Sequence, residues 1–156
     1  MEPILLERYA RPVPRYTSYP TAPHFTSDVG EGVYRDWLGR LSPGTPVSLY
    51  LHVPYCREMC WYCGCHTKVA RRPEPVAQYA RDLDREIALV AASIPGRLRV
   101  VSVHWGGGTP TMLAAEDFFT LMEALRTCFN VTDLSEVAVE IDPRKAGEVP
   151  STKGKL

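Results

Sequence analysis

Four of the five cysteines in this 156-residue chain fall within ten positions, as Cys56, Cys60, Cys63 and Cys65. The first three form C-x3-C-x2-C, with Cys65 two residues beyond them and His66 alongside. Thiolates are soft ligands that suit zinc, copper(I) or iron–sulfur clusters. Zinc fingers and ribbons draw ligand pairs from separated segments, whereas these thiols crowd into one loop that can wrap the corner of a compact cluster. Three cysteines on a [4Fe–4S] cube would leave one iron without a protein ligand, open to a small molecule. The competing readings are a zinc site that includes Cys65 and His66, and reduced bystander thiols. Tyr62, inside the motif, shields such a cluster, contacts a ligand, or simply packs. Cys128, beside Leu125 on an apolar helix face, reads as a buried structural thiol.

A second candidate is the run GGGTPT, Gly106–Thr111, at the end of a β-rich segment. It matches neither G-x-G-x-x-G nor a Walker A loop, so a nucleotide-phosphate site is poorly supported. Its glycines mean either a tight turn or a backbone that lets a ligand approach closely. A third candidate is the carboxylate of Glu140, within EIDPR, Glu140–Arg144. Asp142, ahead of Pro143, reads as a turn residue. His52 and His104 read as structural side chains.

These groups need a frame. Eighteen basic and 18 acidic residues leave no net charge, which argues against a nucleic-acid or anionic-membrane partner. A 45% hydrophobic and 23% charged chain has the composition of a soluble globular protein. Its apolar runs are too short to span a membrane, and Met1 leads into no apolar signal core. An odd cysteine count in such a chain disfavours a disulfide framework and fits a cytoplasmic setting.

Seven of the 14 prolines lie in residues 1–46, so that segment reads as an N-terminal arm with few helices. A short helix is predicted around Gly30–Leu41, where Val33, Trp37 and Leu41 recur every four residues. Val47–Val53 reads as a strand, and Val76–Ala91 as a helix stopped by Pro95-Gly96. Arg99–Trp105 is the next strand, followed by a helix starting near Ala114, with Phe118, Met122, Leu125 and Phe129 on its apolar face. Glu136–Ile141 is the third strand. Strands alternating with helices predict a parallel α/β sheet, whose ligands bind beyond the carboxyl ends of the strands. The cysteine loop, the glycine run and Glu140 should therefore share one end. Residues 144–156 lack apolar periodicity and read as a disordered or foreign tail.

The segment from Cys56 to Cys63, C-R-E-M-C-W-Y-C, resembles the signature of the radical S-adenosylmethionine superfamily, and GGGTPT resembles its loop for the methionine amino group. YLHVPYC, Tyr50–Cys56, is similar to the lead-in of the coproporphyrinogen-oxidase-like branch. The Cys63-Gly-Cys65 variant and the arm RPVPRYTSYPT, Arg11–Thr21, resemble the oxygen-independent coproporphyrinogen III oxidase family.

This resemblance implies the first three strands of a partial (β/α)6 barrel over residues 47–143, preceded by the arm. It implies a [4Fe–4S] cluster on Cys56, Cys60 and Cys63, with Cys65 a non-ligand. S-adenosylmethionine would chelate the open iron, and a 5′-deoxyadenosyl radical made from it would take hydrogen from a propionate of coproporphyrinogen III. Carbon dioxide would leave, and two such events would give protoporphyrinogen IX in haem biosynthesis. Tyr50, Gly107 and Glu140 would contact one S-adenosylmethionine, and Tyr62, Gly108 and Thr109 a second. Arg11 or Arg15 would either meet substrate carboxylates or only pack. The electron donor and acceptor are unidentified, and neither nucleic acid nor membrane is an expected partner. Family members are several hundred residues long, so the chain reads as an incomplete, inactive portion. The alternatives are a haem chaperone of the same superfamily, with His52 or His66 as haem ligand, and a zinc-binding structural fragment.

Overall fold

The computed structural model describes residues 21–61 and 63–144. Tyr62, Arg11 and Arg15, and all but the first residue of the expected tail, lie outside them. The chain divides into two compact units, Met1–Tyr34 and Arg35–Leu156. In the first, a 3-10 turn at Ala22–His24 is tied by the Thr21 hydroxyl to His24 Nδ1 at 2.9 Å. Helix α1 (Glu31–Gly39) forms where the four-residue spacing predicts it, yet it buries no residue. The expected apolar face is open: Val33 and Trp37 are both exposed.

The second unit is built from β1 (Pro46–Val53), β2 (Tyr55–Cys56), β3 (Lys68–Val69), α2 (Glu74–Ala92), β4 (Arg99–Gly107), α3 (Ala115–Cys128) and β5 (Glu136–Val139). Its main sheet has the order β1-β4-β5, and both pairings are parallel. Parallel neighbours need a crossover, and α2 and α3 supply the two required. Pro73 at the N-cap and Pro75 in the first turn start α2, because a helix start has no use for their missing N–H groups. Its buried residues, Val76, Ala80, Leu83 and Ile87, recur at the helical three-four spacing. Glu116 and Asp117 stand in the first turn of α3, where the helix dipole favours negative charge. At its other end, the Arg97 guanidinium donates to the carbonyls of Arg126 and Phe129.

Side chains alternate across the sheet. Leu51 and Val53 from β1 and Val103 and Trp105 from β4 join Leu121, Met122 and Leu125 of α3 and the buried face of α2 in one core. The Trp105 ring is fully buried, 4.8 Å from that of Phe118, and its Nε1–H has no hydrogen-bond partner among the described residues. Cys128 packs at the edge of this core but is only half-buried, short of the full burial its helix position suggested. Ser48, Tyr50, His52, Ser102 and His104 take the opposite face, where the Ser102 hydroxyl donates to that of Ser48 at 2.9 Å.

Three local features depart from the expected elements. β4 runs two residues past Trp105, so Gly106 and Gly107 pair with His52 and Val53. β5 stops at Val139, opposite Trp105, which leaves Glu140 just beyond the ladder. The short parallel pair β2–β3 was not foreseen; it joins Tyr55 to Lys68 and Cys56 to Val69 and fastens both ends of the cysteine loop. Among the described residues, no helix is long and apolar enough to cross a membrane.

Glycine is required where β4 ends. A Cβ on Gly106 would stand 2.9 Å from both Glu140 Oε1 and Tyr50, and one on Gly107 would stand 2.5 Å from the His52 ring. Gly107 also has φ +106°, a region that side chains rarely adopt. A Cβ on Gly108 would come within 2.6 Å of the Tyr55 carbonyl oxygen, a backbone atom that cannot swing away.

Three substitutions test this packing. Leu121→Ala should cost about 2–5 kcal/mol, read as a lower urea midpoint, because Leu121 is 1% exposed in the centre of the core; a loss below about 1 kcal/mol would contradict the packing. Gly108→Ala should destabilise by about 1–3 kcal/mol. Gly64→Ala, with nothing within 4 Å of the added carbon, should leave the urea midpoint nearly unchanged. Equal effects of the two glycine changes would refute the close approach.

Candidate functional site

The register of β1 against β4 pairs Tyr50 with His104 and His52 with Gly106. These open-face positions lie at the carboxyl end of the sheet, and the cysteine loop follows directly from β1. Glu140 arrives beside them because its backbone N–H continues the ladder to the Trp105 carbonyl at 2.9 Å. The three groups singled out in the sequence therefore meet at one end.

Hydrogen bonds join them. His104 Nε2 donates to Glu140 Oε1 at 3.0 Å, and the Gly107 N–H donates to Glu140 Oε2 at 3.2 Å. The carboxylate is thereby held in both position and rotation. The Tyr50 ring stacks on His104, with centroids 5.8 Å apart and an interplanar angle of 23°. His52 Nε2 donates to the His66 carbonyl at 2.8 Å, so its Nδ1 accepts the Tyr50 hydroxyl at 2.9 Å. One path thus runs from β1 into the cysteine loop, and another from β4 to Glu140.

The glycine run serves through its lack of side chains. Its Gly108 and Thr109 N–H groups donate to the carbonyls of Val53 and Tyr55, each at 2.8 Å. With the Gly107 N–H on Glu140, three successive amides are already satisfied inside the protein. What the glycines provide is the space occupied by Glu140, Tyr50, His52 and Thr67.

All five cysteines are free thiols. Cys56 is buried, and its Sγ accepts hydrogen bonds from the Thr109 hydroxyl at 3.4 Å and the Thr67 hydroxyl at 3.5 Å. Cys60 is exposed, with Arg144 Nη2 donating to its Sγ at 3.4 Å. The Cys63 N–H donates to the Cys60 carbonyl at 3.1 Å, making a turn between these two. Hydroxyl and guanidinium donors around sulfur suit thiolate ligands. Among the described residues, no three His, Cys, Asp or Glu side chains gather as a single metal ion would need. Three loop cysteines with hydroxyl and guanidinium donors fit an iron–sulfur cluster, and Tyr50 and Glu140 stand exposed at the same end of the sheet.

Neighbouring groups affect the protons here. Partial burial raises the Tyr50 phenol above its ordinary value, and the negative charges of Glu140 and Cys65 add to the effect. Cys65 is raised by desolvation and then by Cys63 next to it. Cys65 thus belongs electrostatically to the site, although its side chain is exposed.

Of the residues singled out from the sequence, Tyr50, Gly107 and Glu140 meet directly around His104. Cys56, Cys60 and Cys63 share one loop, and Gly108 and Thr109 approach it from β4. Sequence reasoning gave no role to Thr67 or Arg144; it read His52 and His104 as structural, with His52 also an alternative haem ligand, and their hydrogen bonds to Tyr50, the His66 carbonyl and Glu140 are of that supporting kind. The histidine signal was present: both alternate with core residues and fall on the same face as Tyr50. Asp142 does make the expected turn, accepting the Arg144 N–H at 3.0 Å.

Comparison with known proteins agrees with this arrangement. The profile of the radical SAM superfamily matches residues 50–146. An oxygen-independent coproporphyrinogen III oxidase of Bradyrhizobium diazoefficiens is 58% identical over 132 residues, which are 85% of this chain and 29% of that protein. The Escherichia coli protein of the same name is 41% identical over 141 residues, 90% of this chain and 30% of the relative. A solved structure of coproporphyrinogen III oxidase from Escherichia coli, described as a radical SAM enzyme, superposes with a TM-score of 0.76 at 37% identity. That match covers 91% of this chain and 31% of the other. The chain therefore spans about three-tenths of the length of the curated relatives it matches. Members of that superfamily work with a [4Fe–4S] cluster and S-adenosylmethionine in general. From the motif at Cys56–Cys63, the parallel sheet and the matched span of 50–146, this chain belongs to the radical SAM superfamily.

Proposed function

We propose that this chain provides the cluster- and S-adenosylmethionine-binding portion of an oxygen-independent coproporphyrinogen III oxidase. The observation that carries the reading is the meeting of the cysteine loop, the glycine run and Glu140 at one end of a parallel sheet. Cys56, Cys60 and Cys63 would hold three corners of a [4Fe–4S] cluster, leaving Cys65 unligated. When bound there, the cluster and S-adenosylmethionine supply the electron and the radical chemistry for hydrogen abstraction from a propionate of coproporphyrinogen III.

The chain's own residues do the positioning. Glu140 has about four lone-pair directions, and His104 and Gly107 take one each. Those left are fixed acceptors for the ammonium group or hydroxyls of S-adenosylmethionine, with nothing to reorganise on binding. The exposed Tyr50 ring, braced by His104 and His52, provides a rigid wall next to that carboxylate. Thr109 and Thr67 hold the Cys56 sulfur, which fixes the loop before any metal arrives. Tyr62, Gly108 and Thr109 are the proposed contacts to a second S-adenosylmethionine. The reaction would run in a reducing cytoplasm, because an exposed cluster is open to oxidation.

Anaerobic reconstitution with iron and sulfide tests the ligand set. Cys56→Ala, Cys60→Ala and Cys63→Ala should each abolish the brown cluster absorbance, while Cys65→Ala should retain it. Loss of the cluster on the Cys65 change, or a colourless sample holding zinc, would overturn the assignment. Adding S-adenosylmethionine to the loaded chain should change the electron paramagnetic resonance signal of the cluster. Glu140→Gln should weaken that binding about tenfold or more, corresponding to about 1.5–3 kcal/mol for a hydrogen bond to a charged group. Equal affinity in the two proteins would remove Glu140 from the site.

A further inference from the structure

Arg144 is the first residue of the segment whose sequence suggested a tail, and it is among the most tightly held side chains on the surface. Its Nε donates to Asp142 Oδ1 at 2.9 Å, and its Nη2 donates to Oδ2 at 2.7 Å. Its backbone N–H also donates to Oδ1, at 3.0 Å. The Asp142 side chain is only 15% exposed, so the carboxylate that aims this guanidinium is itself fixed. The remaining Nη2 hydrogen points at Cys60 Sγ, 3.4 Å away across 84 residues of sequence, while Nη1 lies 3.9 Å from Glu58 Oε2. Cys56, by contrast, meets two neutral hydroxyls, from Thr67 and Thr109. Cys60 thus has a cation where Cys56 has alcohols.

We propose that Arg144, aimed by Asp142, is a positioning residue for Cys60, whose sulfur it hydrogen-bonds and through which it raises the reduction potential of the bound cluster. The cluster part of this proposal rests on the reading given above. A hydrogen bond from a cation stabilises negative charge on sulfur more than a neutral donor does. Hydrogen bonds to cluster sulfurs and nearby charge set the potential. Gaining an electron makes a cluster more negative, so an N–H donor fixed on a ligand sulfur favours the reduced form, even with the guanidinium charge offset by Asp142 and Glu58. Lysine would keep the charge but cannot hold a carboxylate with a planar fork while reaching the sulfur.

The test compares the 156-residue chain with Arg144→Gln, Arg144→Lys and Asp142→Asn, each reconstituted anaerobically and titrated with redox mediators. At equal iron content, Arg144→Gln should shift the midpoint potential to more negative values. Arg144→Lys should shift it less, and so should Asp142→Asn, where the lost carboxylate charge opposes the lost aim. An unchanged potential in Arg144→Gln would overturn the proposal. Cluster-free protein supplies the second readout, the iodoacetamide alkylation rate of Cys60 followed by mass spectrometry. Loss of the guanidinium in Arg144→Gln should change the Cys60 rate several-fold and leave Cys65 unchanged, and equal Cys60 rates would refute the contact. Should a variant lose its cluster, this rate decides. If the unaltered chain takes up no cluster, the functional reading fails, and the alkylation comparison alone judges the Arg144–Cys60 pair.

Discussion

The end of β4 passes its neighbours without clearance for a single extra carbon. Gly106 lies against Tyr50 and Glu140, Gly107 against the His52 ring, and Gly108 against the Tyr55 carbonyl and the Thr67 hydroxyl. Most of the site depends on that closeness. It brings the Gly107 N–H to Glu140, and it lets Gly108 and Thr109 donate to Val53 and Tyr55. With its backbone held there, Thr109 can reach the Cys56 sulfur from a strand on the other side of a helical crossover. A methyl group in this run would force the cysteine loop away from the sheet.

Around that contact the site has two chemically different halves. One is made of oxygen and nitrogen: Glu140, His104, Tyr50 and the Gly107 amide. The other is made of sulfur with its donors: Cys56 with two threonines, and Cys60 with Arg144. The histidines His52 and His104 brace their neighbours through hydrogen bonds. His52 links the Tyr50 hydroxyl to the backbone of the cysteine loop, and His104 braces the carboxylate under a stacked ring. Such supporting groups commonly decide how well a metal or cofactor site works.

Much of this could be read from the sequence because the sheet is parallel and its period is strict. Val47–Val53, Arg99–Trp105 and the two helices are marked by apolar spacing and by Pro or Gly stops, and each forms within a few residues of its predicted span. Strand order then places the cysteines, the glycines and Glu140 at one end before any coordinates are known. What stayed hidden depends on contacts between distant segments. Nothing in Lys68-Val69 marks it as a strand, since two residues carry no periodicity and the pairing exists only because Tyr55 and Cys56 lie alongside. Arg144 looks like one more surface cation until Asp142 and Cys60 stand either side of it. The apolar spacing in α1 points the other way, for its residues fit a buried stripe yet face outward.

The Trp105 indole lies under the glycine run, buried in the core, and its N–H has no partner among the described residues. Trp61 is fully exposed on the cysteine loop, and Trp37 is half exposed on α1. Emission from an indole in dry surroundings lies to the blue of emission from one in water. The chain therefore has its own optical probes: a blue one in the core and red ones on the cysteine loop and α1. An iron–sulfur chromophore seated in that loop would quench the red component first, so seating of the group and melting of the core can be followed separately, without an attached dye.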